Sequence, residues 1–350
     1  MADLSNELVR RGHDVYAVLR PRSPLFARLN ELDQEWISTL PLRNALDVTS
    51  ANKLARFVKQ HQVEIIHAHM ARDYSLAAYA ARRNPSAKLI LTRHVLFRLN
   101  RWHRRLLARA ARVIAVSDAV AGQLRSQNLF PSSRISVVRN GVDVEALAAV
   151  CGATDRGEYR RNLDLPENSL LVGTVGQLNP LKGHEVFLRA AALVIESLPQ
   201  ARFVIAGADV SAAGETIASL TRLIGELGLQ SHVRLLGEVE NVSSVLAPLD
   251  VFVSASRAES FGLAIVEAMA CSLPVVATDT EGAREVIEEN QTGLIVPIDE
   301  PEHLAASIIT LLADVQLRMQ MGHQGYVRAR EQFGLKRMVD NIEMIYQESS

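Results

Sequence analysis

Two glutamates eight positions apart, Glu259 and Glu267, lie in the stretch SRAESFGLAIVEAMACSLPVVAT, and the residues around them decide what such a pair could do. The spacing alone arises easily by chance. Here a strand-like run, DVFVSAS, ends just before it; Ser260 is placed to cap a helix, Phe261 to Leu263 would form the first turn, and Gly262 would let a ligand approach the backbone. A helix starting at a strand end presents free N–H groups and the positive end of its dipole, which suits phosphate. Glu267, about seven residues past that cap, would lie roughly 10 Å along the axis, beyond the same phosphates. A carboxylate there can accept from neutral hydroxyls such as those of a ribose, while Glu259 could accept from hydroxyls at the other end of the ligand. A diphosphate between two sets of hydroxyls describes a nucleotide sugar.

A second segment, VGTVGQLNPLKGHEVF, supplies a positive charge. Its Gly173 and Gly176 do not form the spaced triple-glycine fingerprint of dinucleotide binding, which argues against a dehydrogenase. Lys182 instead follows a strand and a bend at Pro180, and precedes Gly183 and a helix. A lysine so placed meets phosphates as a point charge, and its value is greatest where a departing diphosphate gains negative charge.

These segments need a scaffold that puts loops at strand ends. In the first half, DVYAVLR, VEIIHAHM, KLILTRH, RVIAVS and RISVVRN alternate with helical patterns such as SANKLARFVKQ and DAVAGQLRSQN. That rhythm predicts a parallel sheet with helices on both faces. Between Asp143 and Asn168 the rhythm is lost, which marks a joining region. It restarts with LLVGTVGQL, ARFVIAGA, VRLLGEV, DVFVSAS, PVVAT and TGLIVP, so a second doubly wound α/β domain is predicted, the two facing a central cleft. The expected boundaries are 1–150 for the first domain, joined by a C-terminal helix over 335–350, and 165–334 for the second.

With 350 residues, 48% of them apolar and 22% charged, two full cores are affordable. No run reaches the roughly 18 apolar residues of a membrane span, and no signal-peptide pattern opens the chain, so a cytoplasmic protein is expected. Cys151 and Cys271 lie far apart without metal-type spacing, which points to buried free thiols. Net charge is −1, yet residues 1–150 carry 23 Lys and Arg against 12 acids, and the remainder 15 against 27. A basic half of this kind suits an anionic partner or surface.

VSDAVAGQL, VVRNGVD, VGQLNPLKG, VRLLGEV, AESFGLAIVEAMA, LPVVAT and TGLIVP occur in the order and spacing of glycosyltransferase family 4, and the chain resembles that family over nearly its whole length. The resemblance implies the GT-B fold of two Rossmann-like domains and retaining transfer from a nucleotide sugar, UDP- or GDP-linked, with no metal and no cofactor. It places Glu259 by the donor sugar, Glu267 on the ribose and Lys182 on the donor phosphates, with Gly176, Gln177, Ser260, Phe261, Gly262 and Leu263 around them. It also places His94, at a strand end of the first domain, facing the transferred sugar and acceptor, and Asn140 and Gly141 near the cleft. Front-face attack, with the leaving phosphate helping to take the acceptor proton, then needs no protein nucleophile. Two residues depart from the pattern. Gln177 stands where the family commonly has arginine, which Arg257 could compensate, and Ser272 replaces a frequent glycine.

From Arg93 to Arg112 the chain carries seven arginines and no acid, with Leu99, Trp102, Leu106 and Ala110 on one helical face and Arg98, Arg101, Arg105, Arg109 and Arg112 on another. The segment suits an anionic membrane surface or a lipid-linked acceptor at the inner face of a membrane, or equally a core-facing stripe with a solvated basic face. Nucleic acid is not expected, because the chain is near neutral and shows no reader motif. The implied acceptor is a glycan or glycolipid of the cell envelope. Family members begin with a strand and a glycine-rich loop leading into the helix that Ala2 to Arg11 occupy. Met1 is therefore read as internal to a longer frame, or the chain as a fragment; the alternative is a vestigial chain that binds nucleotide sugar without catalysis.

Overall fold

Buried apolar runs and amphipathic runs alternate along the chain, and in the computed structural model, which describes residues 1–100 and 103–349, they assemble two units. One holds Met1–Gly141 together with the segment from Leu335 onward; the other holds Val142–Gly334. The chain thus changes unit at Gly141, ahead of the residue 150 expected from the sequence.

In the first unit α1 (Ala2–Arg10) leads to β1 (Ala17–Leu19), which pairs in parallel with β2 (Ile37–Thr39). Then follow α2 (Val48–Gln60), β3 (Ile65–Ala68), α3 (Tyr74–Arg83), β4 (Lys88–Arg93), α4 (His103–Leu106), β5 (Arg112–Ala115), α5 (Asp118–Ser126) and β6 (Ile135–Val137). Strands β3-β4-β5-β6 form one parallel sheet in that order. Its central strands are covered on both faces, which is why Leu89, Ile90, Leu91, Val113 and Ile114 form unbroken apolar runs. Among the described residues, β1 and β3 each keep one edge outside any sheet pairing, and residues of both edges line a cavity of about 530 Å³.

The basic segment does not form the long amphipathic helix predicted for it. Arg93 ends β4 and is buried, its guanidinium donating to the Phe97 carbonyl, while Arg112 opens β5 and pairs with Glu348 at 3.3 Å. Only the four residues of α4 are helical among the described residues between them, and Arg101 and Trp102 lie outside the described residues. Strand pairing takes Arg93 and Arg112, which removes both ends of the stripe from any helix. Leu99 and Ala110 are buried as expected, and Arg98, Arg104, Arg105 and Arg109 are exposed.

The second unit opens with α6 (Val144–Ala153) and α7 (Arg156–Asn162), so most of the stretch read as a joining region is helical. The buried Arg160 ties α7 to Asp250 at 3.1 Å, and Asp250 also accepts from the Leu171 amide at 2.8 Å. Next come β7 (Leu170–Val175), α8 (His184–Ser197), β8 (Ala201–Ala206), α9 (Glu215–Glu226), β9 (Val233–Gly237) and α10 (Val242–Leu246). They are followed by β10 (Val251–Ser254), α11 (Leu263–Ala270), β11 (Val275–Thr278), α12 (Glu281–Val286), β12 (Gly293–Val296), α13 (Pro301–Ala313) and α14 (Val315–Gln332). The six strands are all parallel in the order β12-β11-β10-β7-β8-β9. From β7 the sheet grows one way through β8 and the other way through β10, so the carboxyl ends of β7 and β10 flank the switch point where such sheets bind ligands. Phe187, Phe203, Val253, Ile308 and Leu311 fill the core beneath.

The two cysteines correct the expectation of free thiols. Cys151 near the end of α6 and Cys271 at the C-cap of α11 form a disulfide, with their Cα atoms 5.7 Å apart across 120 residues of sequence. Packing of α6 against α11 brings them together, a tertiary contact that linear spacing does not reveal.

Finally α15 (Leu335–Ser349) returns to the first unit. Its Leu335, Val339, Ile342 and Ile345 cover Leu4 and Leu8 of α1, and Arg11 bonds Asp340 and Glu343 at 2.6 Å each. No helix among the described residues is long and apolar enough to cross a membrane.

Ser272, where the resemblance leads one to expect glycine, holds a left-handed φ of 56° at the end of α11. A side chain there costs roughly 1–2 kcal/mol, part of which glycine returns through unfolded-chain entropy. Ser272→Gly is expected to stabilise the protein by about 0.5–1 kcal/mol in denaturant unfolding; an unchanged or lower midpoint would show that no strain is held there.

Candidate active site

The loop after β7 is built to stop quickly. The Gly176 and Leu178 amides continue the pairing with β8 through the carbonyls of Ala206 and Ala208, at 2.9 and 2.8 Å. Asn179 then caps a tight 3-10 turn, Pro180–Lys182, its side chain accepting from the Leu181 amide at 2.9 Å. Gly183 follows at φ 62°, and a Cβ on it would stand 2.0 Å from the Ala255 carbonyl oxygen. Only glycine permits that approach, so the turn rests directly on the backbone beyond β10. The Lys182 stem lies over Gly176, whose Cβ, if it had one, would meet Lys182 Cδ and Cε at 3.5 Å.

The loop after β10 is bonded to this turn. The Arg257 amide donates to the Leu181 carbonyl at 2.8 Å, and the Arg257 guanidinium donates to the Pro180 carbonyl at 2.7 Å while pairing with Glu185 and Asp299. Two residues on, the Glu259 carbonyl accepts from the Gly282 amide at 3.0 Å. A Cβ on Gly282 would lie 2.7 Å from the Phe261 backbone, so α12 clamps the Glu259–Phe261 segment from behind. The consequence is a contact across 77 residues of sequence: Lys182 Nζ donates to Glu259 Oε2 at 2.7 Å, both side chains retaining some exposure.

Helix α11 begins later than the sequence suggests. Its N-cap is Gly262, at φ 95°, and not Ser260, whose side chain makes no cap bond; the helix runs from Leu263. Phe261 is buried against Phe333, edge to face at 5.6 Å, which takes it out of the first turn. The apolar face of Ile265, Val266 and Met269 packs inward, leaving Leu263 exposed and Glu267 partly exposed one turn further along. Glu267 therefore stands about one 5.4 Å turn beyond the first helical residue, closer to the helix start than the 10 Å expected. Gln177 is exposed, and its carbonyl accepts from His184 Nε2 at 3.2 Å.

In the first unit the expected histidine has company. His94 follows the last residue of β4, and its Nε2 lies 3.2 Å from His69 Nδ1. His67 and His69, at alternate positions along β3 and just past it, share a face. His67 Nε2 meets Thr92 Oγ1 at 2.6 Å and Nδ1 meets the Tyr346 hydroxyl of α15 at 2.7 Å. Burial pushes His67 down to about 3 and His94 to about 4, and His69 well below its ordinary value, so all three rings are neutral near pH 7. Neighbouring charge adds to this, from His94 on His67, and from the N-terminus and Arg93 on His94. The resemblance implies His94 alone, although the alternation HAH within an apolar strand pattern is the signal for the other two. Asn140 and Gly141 close the main segment of this unit, and the Gly141 amide donates to Met338 Sδ at 3.1 Å.

Residues 155–328 match the family described as Glycosyl transferases group 1, and residues 1–146 match Glycosyltransferase Family 4. The N-acetyl-alpha-D-glucosaminyl L-malate synthase of Bacillus anthracis is 26% identical over 98% of this chain and 91% of its own. The D-inositol 3-phosphate glycosyltransferase of Corynebacterium jeikeium is 34% identical over 61% of this chain, and the match spans about half, 52%, of that relative's length. In three dimensions, Anabaena Alr3699/HepE in complex with UDP-glucose superposes with a TM-score of 0.85 over 99% of this chain and 94% of its own, at 22% identity.

The neutral histidines have a thermodynamic consequence. In the unfolded chain they take up protons below about pH 6.5, whereas in the folded protein His94 and His67 resist to about 4 and 3, so the unfolded state binds more protons in between. Their contribution to stability is complete above pH 6.5 and declines as the pH falls toward 4. Unfolding midpoints measured from pH 8 to 4 should show this decline, and His67→Asn should flatten it; an unaltered slope in the variant would remove His67 from the account.

Proposed function

The chain belongs to the group 1 and family 4 glycosyltransferases of the GT-B fold, and on that premise we propose that it transfers a sugar, with retention, from a nucleotide-sugar donor to a cell-envelope glycan or glycolipid. The observation that carries the donor half of this reading is the meeting of Lys182 and Glu259 beside the start of α11, at the switch point of the second sheet. An ammonium, a helix N-terminus and two carboxylates placed before and along that helix fit a diphosphate flanked by two sets of hydroxyls. The UDP and UDP-glucose complexes of the structurally similar Anabaena protein support a nucleotide-sugar donor.

In this reading Lys182 and the amides at the start of α11 take the charge that grows on the departing nucleoside diphosphate, in place of a metal ion. Glu267 accepts from the ribose hydroxyls and Glu259 from those of the sugar. The neutral His94, in contact with His69, faces the transferred sugar and acceptor as a hydrogen-bonding group. The leaving phosphate helps to remove the acceptor proton, so the protein contributes charge and position. The exposed arginines 98, 104, 105 and 109, with the exposed Phe97 beside them, favour a lipid-linked acceptor at an anionic membrane surface.

The test is transfer and hydrolysis measured over a panel of UDP- and GDP-sugars, with the product anomer read by NMR. Lys182→Ala is expected to lower kcat/KM by about 10²–10³-fold, and Glu267→Ala chiefly to raise the KM for donor. Near-normal turnover by Lys182→Ala at saturating donor would overturn its role; a thermal shift with nucleotide sugar but no turnover in the wild type would favour a binding protein without catalysis.

A further inference from the structure

We propose that Glu259 acts as an internal competitor of phosphate for Lys182, and that it thereby sets the preference of the site for nucleotide sugar over the nucleoside diphosphate left after transfer. This rests on the donor site proposed above. The Lys182 ammonium is bonded at 2.7 Å to a carboxylate, which is the kind of oxygen anion a diphosphate would bring to it. The pair is accessible enough to exchange partners, with side-chain exposures of 27% for Lys182 and 18% for Glu259.

The backbone around both residues is fixed. Gly183 sits on the Ala255 carbonyl, the Arg257 amide is bonded to Leu181, and the Glu259 carbonyl to Gly282. Exchange therefore involves side-chain rotation alone. The competing cation nearby is already committed, because Arg257 pairs with Glu185 and Asp299.

The two ligands differ in what they return to the carboxylate. A nucleotide sugar that draws Lys182 onto its phosphates offers hydroxyl donors to the displaced Glu259. A nucleoside diphosphate has no sugar to offer, and takes the ammonium from the carboxylate without giving a donor in exchange. Glu259 then opposes retention of the product and recaptures Lys182 as it leaves.

Isothermal titration with UDP, GDP and their sugar derivatives tests this, with thermal unfolding to confirm that each variant is folded. Glu259→Gln should bind the preferred diphosphate about 3- to 10-fold more tightly and its sugar derivative no more tightly, so that product inhibition strengthens. In a Lys182→Met background the same substitution should give no tightening, because the competition has lost its object. Plain repulsion between Glu259 and phosphate would instead give equal tightening in both backgrounds, and that result, or no tightening in either, overturns the proposal while leaving the donor site intact. If the wild type binds neither diphosphate, the donor-site reading itself fails.

Discussion

The meeting of Lys182 and Glu259 depends on one seam between loops, in which the Arg257 amide donates to the Leu181 carbonyl and the Arg257 guanidinium to the Pro180 carbonyl. It joins the turn after β7 to the loop after β10, two strands that are neighbours in the sheet though separated by β8 and β9 in sequence. Without it Lys182 and Glu259 would project from independent loops, each paying its own ordering entropy before any contact formed. With it, and with Gly183 pressed against the Ala255 carbonyl, both side chains start from a shared backbone platform. Their ion pair is a consequence of that platform and not its cause, since a partly exposed pair contributes little to stability by itself.

The same logic explains why so much of the neighbouring structure is buried and apolar. Phe261 under Phe333, and Ile265, Val266 and Met269 on the inner face of α11, fix the helix axis so that its first turn and Glu267 stay on the outer side. The disulfide between Cys151 and Cys271 anchors the far end of that helix to α6. In the first unit the corresponding constraint is α15, which covers α1 and sends Tyr346 to His67.

The strands were legible because parallel strands covered on both faces must be apolar along their whole length, and each predicted run of that kind contains a strand. β2 is not legible, because its three residues, Ile37–Thr39, carry no pattern above noise. The basic segment misled for a different reason. Arginines recur often enough there to fit a helical stripe, but Arg93 and Arg112 are claimed by the ends of β4 and β5, so the stripe is cut at both ends by strand pairing. At the site, Lys182, Glu259 and Glu267 are legible as residues, while the sequence puts the helix cap at Ser260 and the structure, with Phe261 buried, puts it at Gly262. In sequence His67 and His69 read as part of a strand; only the pairing of β3 with β4 puts them beside Thr92 and His94. The disulfide was invisible for the same reason, as it depends on helix packing.

Gln177 brings no charge to the loop after β7, and Arg257 does not replace it. With a neutral side chain at 177, a compensating arginine would have to present its guanidinium to the phosphates. Arg257 instead spends its donors on the Pro180 carbonyl, Glu185 and Asp299, holding in place the turn that carries Lys182. Freeing it for phosphate would loosen the platform that positions the lysine. Of the residues proposed for the phosphates, Lys182 alone carries a full positive charge, and Glu259 holds it in this structure.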